Sequence, residues 1–213
     1  MRQSVNDILA KHFPVEAVEH INRLLHAYPV RMKISRERTT KLGDFKPGIN
    51  GAAHRISVNG SLNIYECLLV FLHEAAHMMV FEENGRKCRP HGKEWKTHYG
   101  DLIRSFLQSG CFHPSIHNMV YAYSFHVRAS GIASLELTKA IRVFDRHPGD
   151  SHWVLLEEVA PNGLFRTRNG RLFQKSEKRR TRYRCLSFEN KQPYLIHCMA
   201  RVRPADNHES NAL

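Results

Sequence analysis

The chain has 213 residues, of which 42% are hydrophobic, so it can form one good globular core with room for a smaller module. Its five cysteines are scattered without C-x-x-C spacing, which argues against a disulfide framework and for a reducing compartment. Lysine and arginine number 32 against 20 aspartates and glutamates. The resulting net charge of +12 favours a polyanionic partner, nucleic acid before an anionic membrane.

The sequence has no segment typical of a secretion signal or a membrane span. The N-terminal stretch MRQSVNDILAK lacks the apolar core of a signal peptide. Apolar runs elsewhere are shorter than the roughly 20 residues that a transmembrane helix needs. We therefore expect a soluble, cytoplasmic protein without a membrane partner.

The first part of the chain predicts a helix followed by two strands. Residues 4–28 carry apolar side chains at helical spacing. Val30–Ser35 alternates between apolar and polar residues like a half-buried strand, and His54–Asn59 predicts a second strand. Between the two strands, residues 36–46 form a basic stretch and residues 47–51 a turn-rich loop. The strands would form a small sheet whose edge could bind an extended peptide.

The most apolar stretch, residues 67–81, reads CLLVFLHEAAHMMVF. Only His73, Glu74 and His77 in it are neither apolar nor small, and we predict a helix with its N-cap at Ser61. A helix that is apolar on all faces is normally buried. Burying an unpaired carboxylate beside two imidazoles costs several kcal/mol, and a bound metal ion would compensate that cost.

The spacing of the two histidines suits one metal ion. Positions i and i+4 share a helix face, so His73 and His77 can both bind Zn²⁺ at roughly 2.0–2.1 Å. Glu74 lies one position further round, from where it can take a proton from a metal-activated water, as in H-E-x-x-H metallopeptidases. The alternative is a pair of hydrogen-bonded core histidines, with Glu74 paired to a basic residue such as Arg104.

A catalytic zinc ion usually has a third protein ligand. The extended motif H-E-x-x-H-x-x-G-x-x-H is absent, because Glu83 stands where its last histidine would fall. His91, in RPHGKEW, is the best candidate, since a loop over residues 82–90 would bring it back across the helix. Three other histidines lie nearby in the sequence and stay open as alternatives: His98, His113 and His117.

Downstream, Lys93–Gln108 predicts an amphipathic helix whose Trp95 packs against the histidine-bearing helix. Residues 112–128 are helical in part, residues 134–144 form a further helix, and residues 146–150 mark a domain boundary. From there the pattern predicts a small all-β module with a hairpin turn at Asn169-Gly170. Its strands are expected at residues 153–159, 164–168, 171–175, 183–188 and 194–202.

Between Arg166 and Arg184 the β-module contains nine basic residues opposed only by Glu177. With Phe165, Phe173 and Tyr183 interleaved, its hairpins could present cations to phosphates and rings to unstacked bases. The alternative is a solvated face whose aromatic residues pack inside the module. The nine candidate nucleic-acid-binding residues are Arg166, Arg168, Arg171, Lys175, Lys178, Arg179, Arg180, Arg182 and Arg184.

HEAAH followed by HGKEW resembles the SprT-like zinc metallopeptidases, the family that includes the Spartan proteases of DNA–protein crosslink repair. The resemblance extends to TTKLGDF and HRISVNGSLN upstream and to RRTRYRC downstream. It implies a zincin-like fold in which His73, His77 and His91 bind one Zn²⁺ and Glu74 is the general base. Family members often add a zinc ribbon, but Cys185 and Cys198 cannot fill a four-cysteine site, so we expect a metal-free module.

These features predict an α+β protein. A minimal zincin-like metalloprotease domain spans residues 1–145, a basic, degenerate ribbon-like β-module spans 146–203, and a disordered tail spans 204–213. The predicted function is a zinc-dependent endopeptidase that acts on DNA-associated proteins. Two alternatives stay open: a nucleic-acid-binding protein with a structural or vestigial zinc site, and a zinc hydrolase of a non-peptide amide.

Overall fold

The structure, a computed structural model, describes residues 5–36, 38, 41–128, 134–145 and 152–205. The chain divides into two compact units, Met1–Asp145 and Arg146–Leu213. The described residues contain six α-helices and two β-sheets, which confirms the α+β prediction. The five cysteines are free, and all but Cys88 are buried.

The first unit begins with two helices, α1 (Val5–His12) and α2 (Val15–Ala27). A single helix over residues 4–28 was the expectation, but the chain breaks at Pro14, which occupies the N-cap of α2 with φ −54° and ψ 138°. Proline lacks an N–H and cannot continue the hydrogen-bond pattern of α1, whereas it is well tolerated at the start of a helix. Both helices bury apolar side chains, among them Leu9 and Ile21.

A three-stranded sheet follows, with β1 (Val30–Ser35), β2 (Gly43–Lys46) and β3 (His54–Asn59). The strand order is β1-β3-β2, with β1 parallel and β2 antiparallel to β3. β1 and β3 are the two predicted strands. β2 lies in the stretch predicted only as basic, because its single apolar residue, Phe45, cannot produce a recognisable alternation. Pairing with β3 makes it a strand.

The central helix, α3 (Ile64–Asn84), is the longest element of the first unit. By length and composition it could span a membrane, but 72% of its most apolar window is buried inside the unit, as in the core helix of a soluble protein. Its N-cap is Asn63 and not Ser61. The Asn63 side-chain oxygen accepts the N–H groups of Tyr65 and Glu66 at 3.1 and 2.9 Å.

Ser61 fails as the cap because its hydroxyl donates to the Asn59 side chain at 3.0 Å instead. Asn63 is buried, and its amide group also donates to the Ile141 carbonyl at 3.2 Å and to Asp145 Oδ1 at 2.8 Å. One side chain therefore starts α3 and joins it to the far end of the unit.

Three further helices complete the first unit: α4 (Lys93–Gln108), α5 (Pro114–Ser124) and α6 (Leu135–Arg142). α4 has the predicted bounds, whereas α5 and α6 are shorter than the predicted segments. α4 packs on α3 through buried Trp95 and Tyr99, and the Tyr99 hydroxyl donates to the Leu69 carbonyl at 3.1 Å. α3 is therefore enclosed by helices on one side and by the small sheet on the other.

The second unit is a six-stranded sheet of order β4-β9-β5-β6-β7-β8, with all pairs antiparallel. Its core contains Phe165, Phe173, Val202 and the two thiols Cys185 and Cys198. The strands are β4 (Val154–Leu155), β5 (Leu164–Arg166), β6 (Leu172–Arg179), β7 (Arg182–Ser187), β8 (Pro193–His197) and β9 (Arg201–Ala205).

Three sequence predictions for this unit need correction. The strand expected at residues 153–159 is only β4, followed by a 3₁₀ turn at Leu156–Glu158. The strand expected at residues 194–202 is two strands, because the chain reverses between β8 and β9. Pro204 and Ala205, assigned to the tail, lie in β9, and residues 206–213 lie outside the described residues.

The N-cap assignment can be tested with two substitutions. Asn63→Ala should lower the free energy of unfolding by about 1–3 kcal/mol, because it removes a cap and leaves buried polar groups unpaired. Ser61→Ala, the matched control, should change it by less than about 0.5 kcal/mol. Urea unfolding followed by circular dichroism measures both. Equal losses for the two variants would contradict the assignment.

Candidate metal centre

Three imidazoles converge at one point of the first unit. His91 Nε2 lies 3.0 Å from His77 Nε2 and 3.2 Å from His73 Nε2. Two nitrogens bound to one tetrahedral zinc ion at 2.0–2.1 Å lie about 3.3 Å apart. The three rings therefore have the spacing of ligands to a single metal ion. Among the described residues, His73, His77 and His91 form the one group of three potential ligands that could hold a metal ion.

Two features of the backbone bring the histidines together. His73 and His77 lie one turn apart on α3, so their rings project from the same face. α3 ends at Gly85, whose φ of 62° lies in the left-handed region that glycine favours. His91, with φ 58°, also has a positive φ just before α4 begins. The chain thereby returns across α3 and carries the third imidazole to the first two.

Trp95 forms the wall behind the imidazoles. It is buried, and its indole N–H donates to the backbone carbonyl of His73 at 3.2 Å. Its ring centroid lies 4.6 Å from those of His73 and His91 and 5.4 Å from that of His77. The packing role predicted for this residue is confirmed, and its contacts extend to all three histidines.

The surroundings of the imidazoles keep them neutral. Burial, together with the neighbouring rings of His77 and His91, lowers the pKa of His73 to about 3. Burial and the His91 ring lower the pKa of His77 to about 4, and burial also lowers the pKa of His91. A neutral imidazole has a free lone pair, which is the state that binds a metal ion. Three neutral nitrogen donors form a set that suits zinc.

Glu74 is buried between α3 and the small sheet. The backbone N–H of Phe45, in β2, hydrogen-bonds its carboxylate. Burial and, after it, the nearby Asp44 raise the pKa of Glu74 to about 7, against the opposing effects of the Phe45 hydrogen bond and the cations Lys41 and Arg38. The carboxylate therefore has a high affinity for protons, and it lies at the edge of β2 on the residue that follows His73 in α3.

Gly43 permits this close approach of β2 to α3. A Cβ atom at this position would lie 2.6 Å from Glu74 Oε1 and 2.6 Å from Val70 Cγ1, closer than real Cβ contacts. Residue 43 must therefore be glycine if β2 and Glu74 are to stay where they are. Sequence reasoning did not single out Gly43 or Phe45 as site residues, although both lie in the TTKLGDF stretch.

The alternative partners considered for these residues are engaged elsewhere. Arg104 donates to Asp101 and to the Ser124 carbonyl, so it does not pair with Glu74. His98 lies 2.8 Å from Glu83, and His113 Nδ1 lies 2.8 Å from Ser115 Oγ. His117 Nδ1 lies 3.4 Å from Asn118 Oδ1. None of the three alternative histidines belongs to the converging group.

Five of the nine basic residues between Arg166 and Arg184 make the following contacts within the second unit. Lys175 is buried, its Nζ donates to the carbonyls of Glu157 and Val159 at 3.1 and 2.5 Å, and it lies 4.1 Å from the centre of the Tyr183 ring. Lys178 pairs with Glu157 at 2.7 Å. Arg166 donates to the Gly170 carbonyl, Arg168 lies over the Trp153 ring, and Arg171 pairs with Glu189.

The other four form a cluster at one end of the β6–β7 hairpin. Arg179 pairs in register with Arg182, Arg184 lies on the same exposed face of β7, and Arg180 forms the turn. Glu177 lies 3.0 Å from Arg179 and 3.7 Å from Arg184, so one acid opposes four cations. A groove of about 330 Å³ is lined here by Arg179, Arg184, Pro193, Tyr194 and Leu195.

The aromatic residues interleaved with this cluster pack inward. Phe165, Phe173 and Tyr183 are buried in the core of the second unit, with exposed fractions of 0%, 3% and 9%. They are therefore unavailable for stacking on bases, which favours the packing interpretation of these rings over the binding interpretation. Cys185 is buried beside them, and burial raises the pKa of its thiol to about 11. The metal-free character of this unit stays a prediction.

Residues 16–108 match the family described as SprT-like family, which confirms the resemblance carried by HEAAH, HGKEW and the upstream motifs. RRTRYRC lies outside the matched residues. The matched segment runs from α2 to the end of α4, so it contains all three histidines and Glu74. Comparisons of the chain with curated proteins and with solved structures gave no match.

The ligand set can be tested through metal retention. His91→Ala should no longer retain Zn²⁺ through dialysis, because two imidazoles on one helix turn leave half of a tetrahedral coordination shell unfilled. His98→Ala, the matched control, should keep the wild-type metal content, since His98 pairs with Glu83 outside the group. Elemental analysis by mass spectrometry measures both. Full zinc retention by the His91 variant would remove this residue from the ligand set.

Proposed function

We propose that this chain, whose residues 16–108 match the SprT-like family, is a zinc-dependent endopeptidase. The observation that carries the proposal is the juxtaposition of three neutral imidazoles with a buried carboxylate of raised pKa. A purely structural metal site has no use for such a carboxylate. It would be costly to keep beside the ligands unless it took part in chemistry.

His73, His77 and His91 would hold the zinc ion. When bound there, the ion supplies Lewis acidity, which polarises a carbonyl group and lowers the pKa of a water molecule towards about 7. The protein's own contribution is to keep the three imidazoles unprotonated and fixed. Burial keeps the imidazoles unprotonated, and Trp95, which contacts all three rings, fixes their positions.

Glu74 would be the proton carrier. Its carboxylate accepts the proton from the attacking water and later donates it to the amine that leaves the peptide. The raised pKa matches this task, because a base that ionises near neutral pH can both accept and return a proton. The hydrogen bond from the Phe45 N–H holds the carboxylate against β2, which fixes its orientation.

The outer edge of β2 would bind the substrate backbone. The Asn59 N–H donates to the Leu42 carbonyl at 2.8 Å, so Leu42, Asp44 and Lys46 direct their backbone groups towards β3. The alternation of the ladder then leaves those of Gly43 and Phe45 on the outer edge, where the Phe45 N–H bonds Glu74 and the other groups face outward. An extended peptide could pair along this edge by strand addition and would pass directly beside Glu74.

The preferred substrates would be proteins associated with DNA in the cytoplasm. The net charge of +12 and the arginine cluster of the second unit support an interaction with nucleic acid. The cluster consists of Arg179, Arg180, Arg182 and Arg184. These four are the better candidates for phosphate contacts, because all four are exposed and Glu177 is the one acid that pairs with them among the described residues.

The role of Glu74 is tested by a charge-neutral substitution. Glu74→Gln should bind zinc as the wild type does and lose at least about 10²-fold in peptidase activity, since it cannot accept a proton. Glu83→Gln, on the same helix but exposed and paired with His98, should retain full activity. The assay is cleavage of a DNA-binding protein with and without DNA. Undiminished cleavage by Glu74→Gln would refute the mechanism.

The contact between β2 and α3 provides a second test. Gly43→Ala should keep the zinc content but lower peptidase activity by about tenfold to hundredfold, because the new methyl group displaces Glu74 or β2 by a fraction of an ångström or more. Hydrolysis rates and elemental analysis on the same preparation separate the two effects. Wild-type activity in this variant would show that the position of Glu74 is not critical.

A further inference from the structure

The outer face of the three-stranded sheet carries a row of cations. The inner face packs on the core through Met32, Ile56 and Phe45, which are direct neighbours across the strands. One residue away in each strand, on the opposite and exposed face, the register pairs Arg31 with Arg55 and Arg55 with Lys46. All three side chains are exposed. Three positive charges therefore lie side by side across all three strands.

Such a row is unfavourable for the isolated protein. Directly opposed side chains on neighbouring strands have Cβ atoms about 4.5–5.5 Å apart, and like charges at that distance repel. Neither Arg31 nor Arg55 pairs with an acidic side chain among the residues that the structure describes, and Lys46 has only a 3.8 Å contact with Asp44. Nothing in the described part of the sheet compensates the repulsion, so an external anion would.

More cations surround this row. The next row holds Lys33, Ser57 and Asp44, in register. Lys33 is exposed. Arg38 donates to Ser57 Oγ at 3.3 Å, and Lys41 pairs with Asp44 at 2.9 Å. The surface, which we term the sheet-face patch, comprises Arg31, Lys33, Arg38, Lys41, Lys46 and Arg55. Among the described residues Asp44 is the one acid on it.

We propose that the sheet-face patch binds the phosphate backbone of a nucleic-acid duplex. Adjacent strands are about 4.8 Å apart and alternate residues along a strand about 6.6 Å apart, so the cations form a regular array. Phosphate binding needs only such an array of cations. Among the described residues of the three strands, the one aromatic side chain besides the His54 ring is Phe45, and it packs on the core. Single-stranded nucleic acid, whose binding depends on stacking with rings, therefore fits the patch less well.

An anionic membrane is the competing occupant. Peripheral membrane proteins combine basic residues with apolar side chains that enter the bilayer. Ser35 and Ser57, which share this face with the patch, are polar and half-buried, and Asn59 is buried. The exposed apolar residues nearest in sequence, Leu42 and Ile49, lie beyond the ends of β2, with Leu42 at the margin of the face. The duplex is the better match to a surface that combines six cations with one apolar side chain at its margin among the described residues.

The patch shares a strand with the candidate active site. The exposed face of β2 carries Asp44 and Lys46. On the outer edge of the same strand, the Phe45 N–H bonds the Glu74 carboxylate. A duplex on this face would hold its bound proteins close to the substrate edge and raise their effective concentration there. This consequence for substrate choice rests on the proposed peptidase function, whereas duplex binding itself does not.

A charge-matched pair of variants tests the patch. The full-length triple variant Arg31→Gln, Lys33→Gln, Arg55→Gln removes three cations from one face. The control Arg23→Gln, Lys96→Gln, Lys139→Gln removes three exposed cations from α2, α4 and α6. Fluorescence anisotropy with a labelled DNA duplex, titrated at several salt concentrations, measures affinity and its salt dependence. The two variants have the same net charge, so non-specific attraction affects them equally.

The patch variant should bind the duplex at least tenfold more weakly than the control. The slope of log K against log salt should fall by about 2 to 3, roughly 0.9 for each lost phosphate contact. The single variant Arg55→Gln should lower the slope by about 1, which guards against a folding defect in the triple variant. Thermal unfolding and zinc content should match the wild type in all variants.

Three results would overturn the proposal. An equal loss of duplex affinity in the two triple variants would mean that binding depends on net charge alone. If the patch variant lost affinity only for a single-stranded oligonucleotide, the patch would be a binding site for single strands and not for a duplex. A loss of binding to phosphatidylserine vesicles without a change in duplex binding would assign it to membranes. Because anisotropy needs no catalysis, a duplex-binding protein without peptidase activity would overturn the proposed function and leave the patch intact.

Discussion

The burial of ionisable groups in the apolar helix α3 is the constraint on which the first unit depends. Glu74 is buried and His73 and His77 are half-buried, so the imidazoles lose their protons and the carboxylate gains affinity for one. An uncompensated cluster of this kind would destabilise the fold. The surrounding elements relieve it, since the chain returns through His91 to supply a third nitrogen and Trp95 closes the space behind the rings. Stability and chemistry are thus set by the same few contacts.

The small sheet offers three surfaces next to this cluster: an inner face, an outer edge and an exposed face. Its inner face packs on α3, and the absence of a side chain at Gly43 lets β2 approach Glu74. Its outer edge offers backbone groups to an extended peptide, and its exposed face carries the sheet-face patch. These surfaces are adjacent because a strand directs side chains to two faces and backbone groups to its edges. Four residues of β2 therefore link the site, the substrate edge and the charged face.

The second unit shows how little a run of basic residues reveals about a binding surface. In an antiparallel sheet only every second side chain reaches a given face, so nine neighbours in sequence separate in space. Lys175 enters the core and bonds two carbonyls, whereas Arg182 and Arg184 lie on the exposed face of the next strand. The sheet-face patch is the opposite case. Arg31 and Arg55 are far apart in sequence, and only the pairing of β1 with β3 makes them neighbours.

Local periodicity by itself determined the α+β class, the α4 helix and the shared face of His73 and His77, because helix geometry fixes which positions lie together. The motifs also indicated His91 and the SprT-like family. Tertiary structure alone decided the features that depend on distant partners. β2 is a strand because β3 pairs with it, and Asn63 caps α3 because the Ser61 hydroxyl bonds Asn59. The row of cations is set by strand register, and register is a relation between segments that no single stretch of sequence contains.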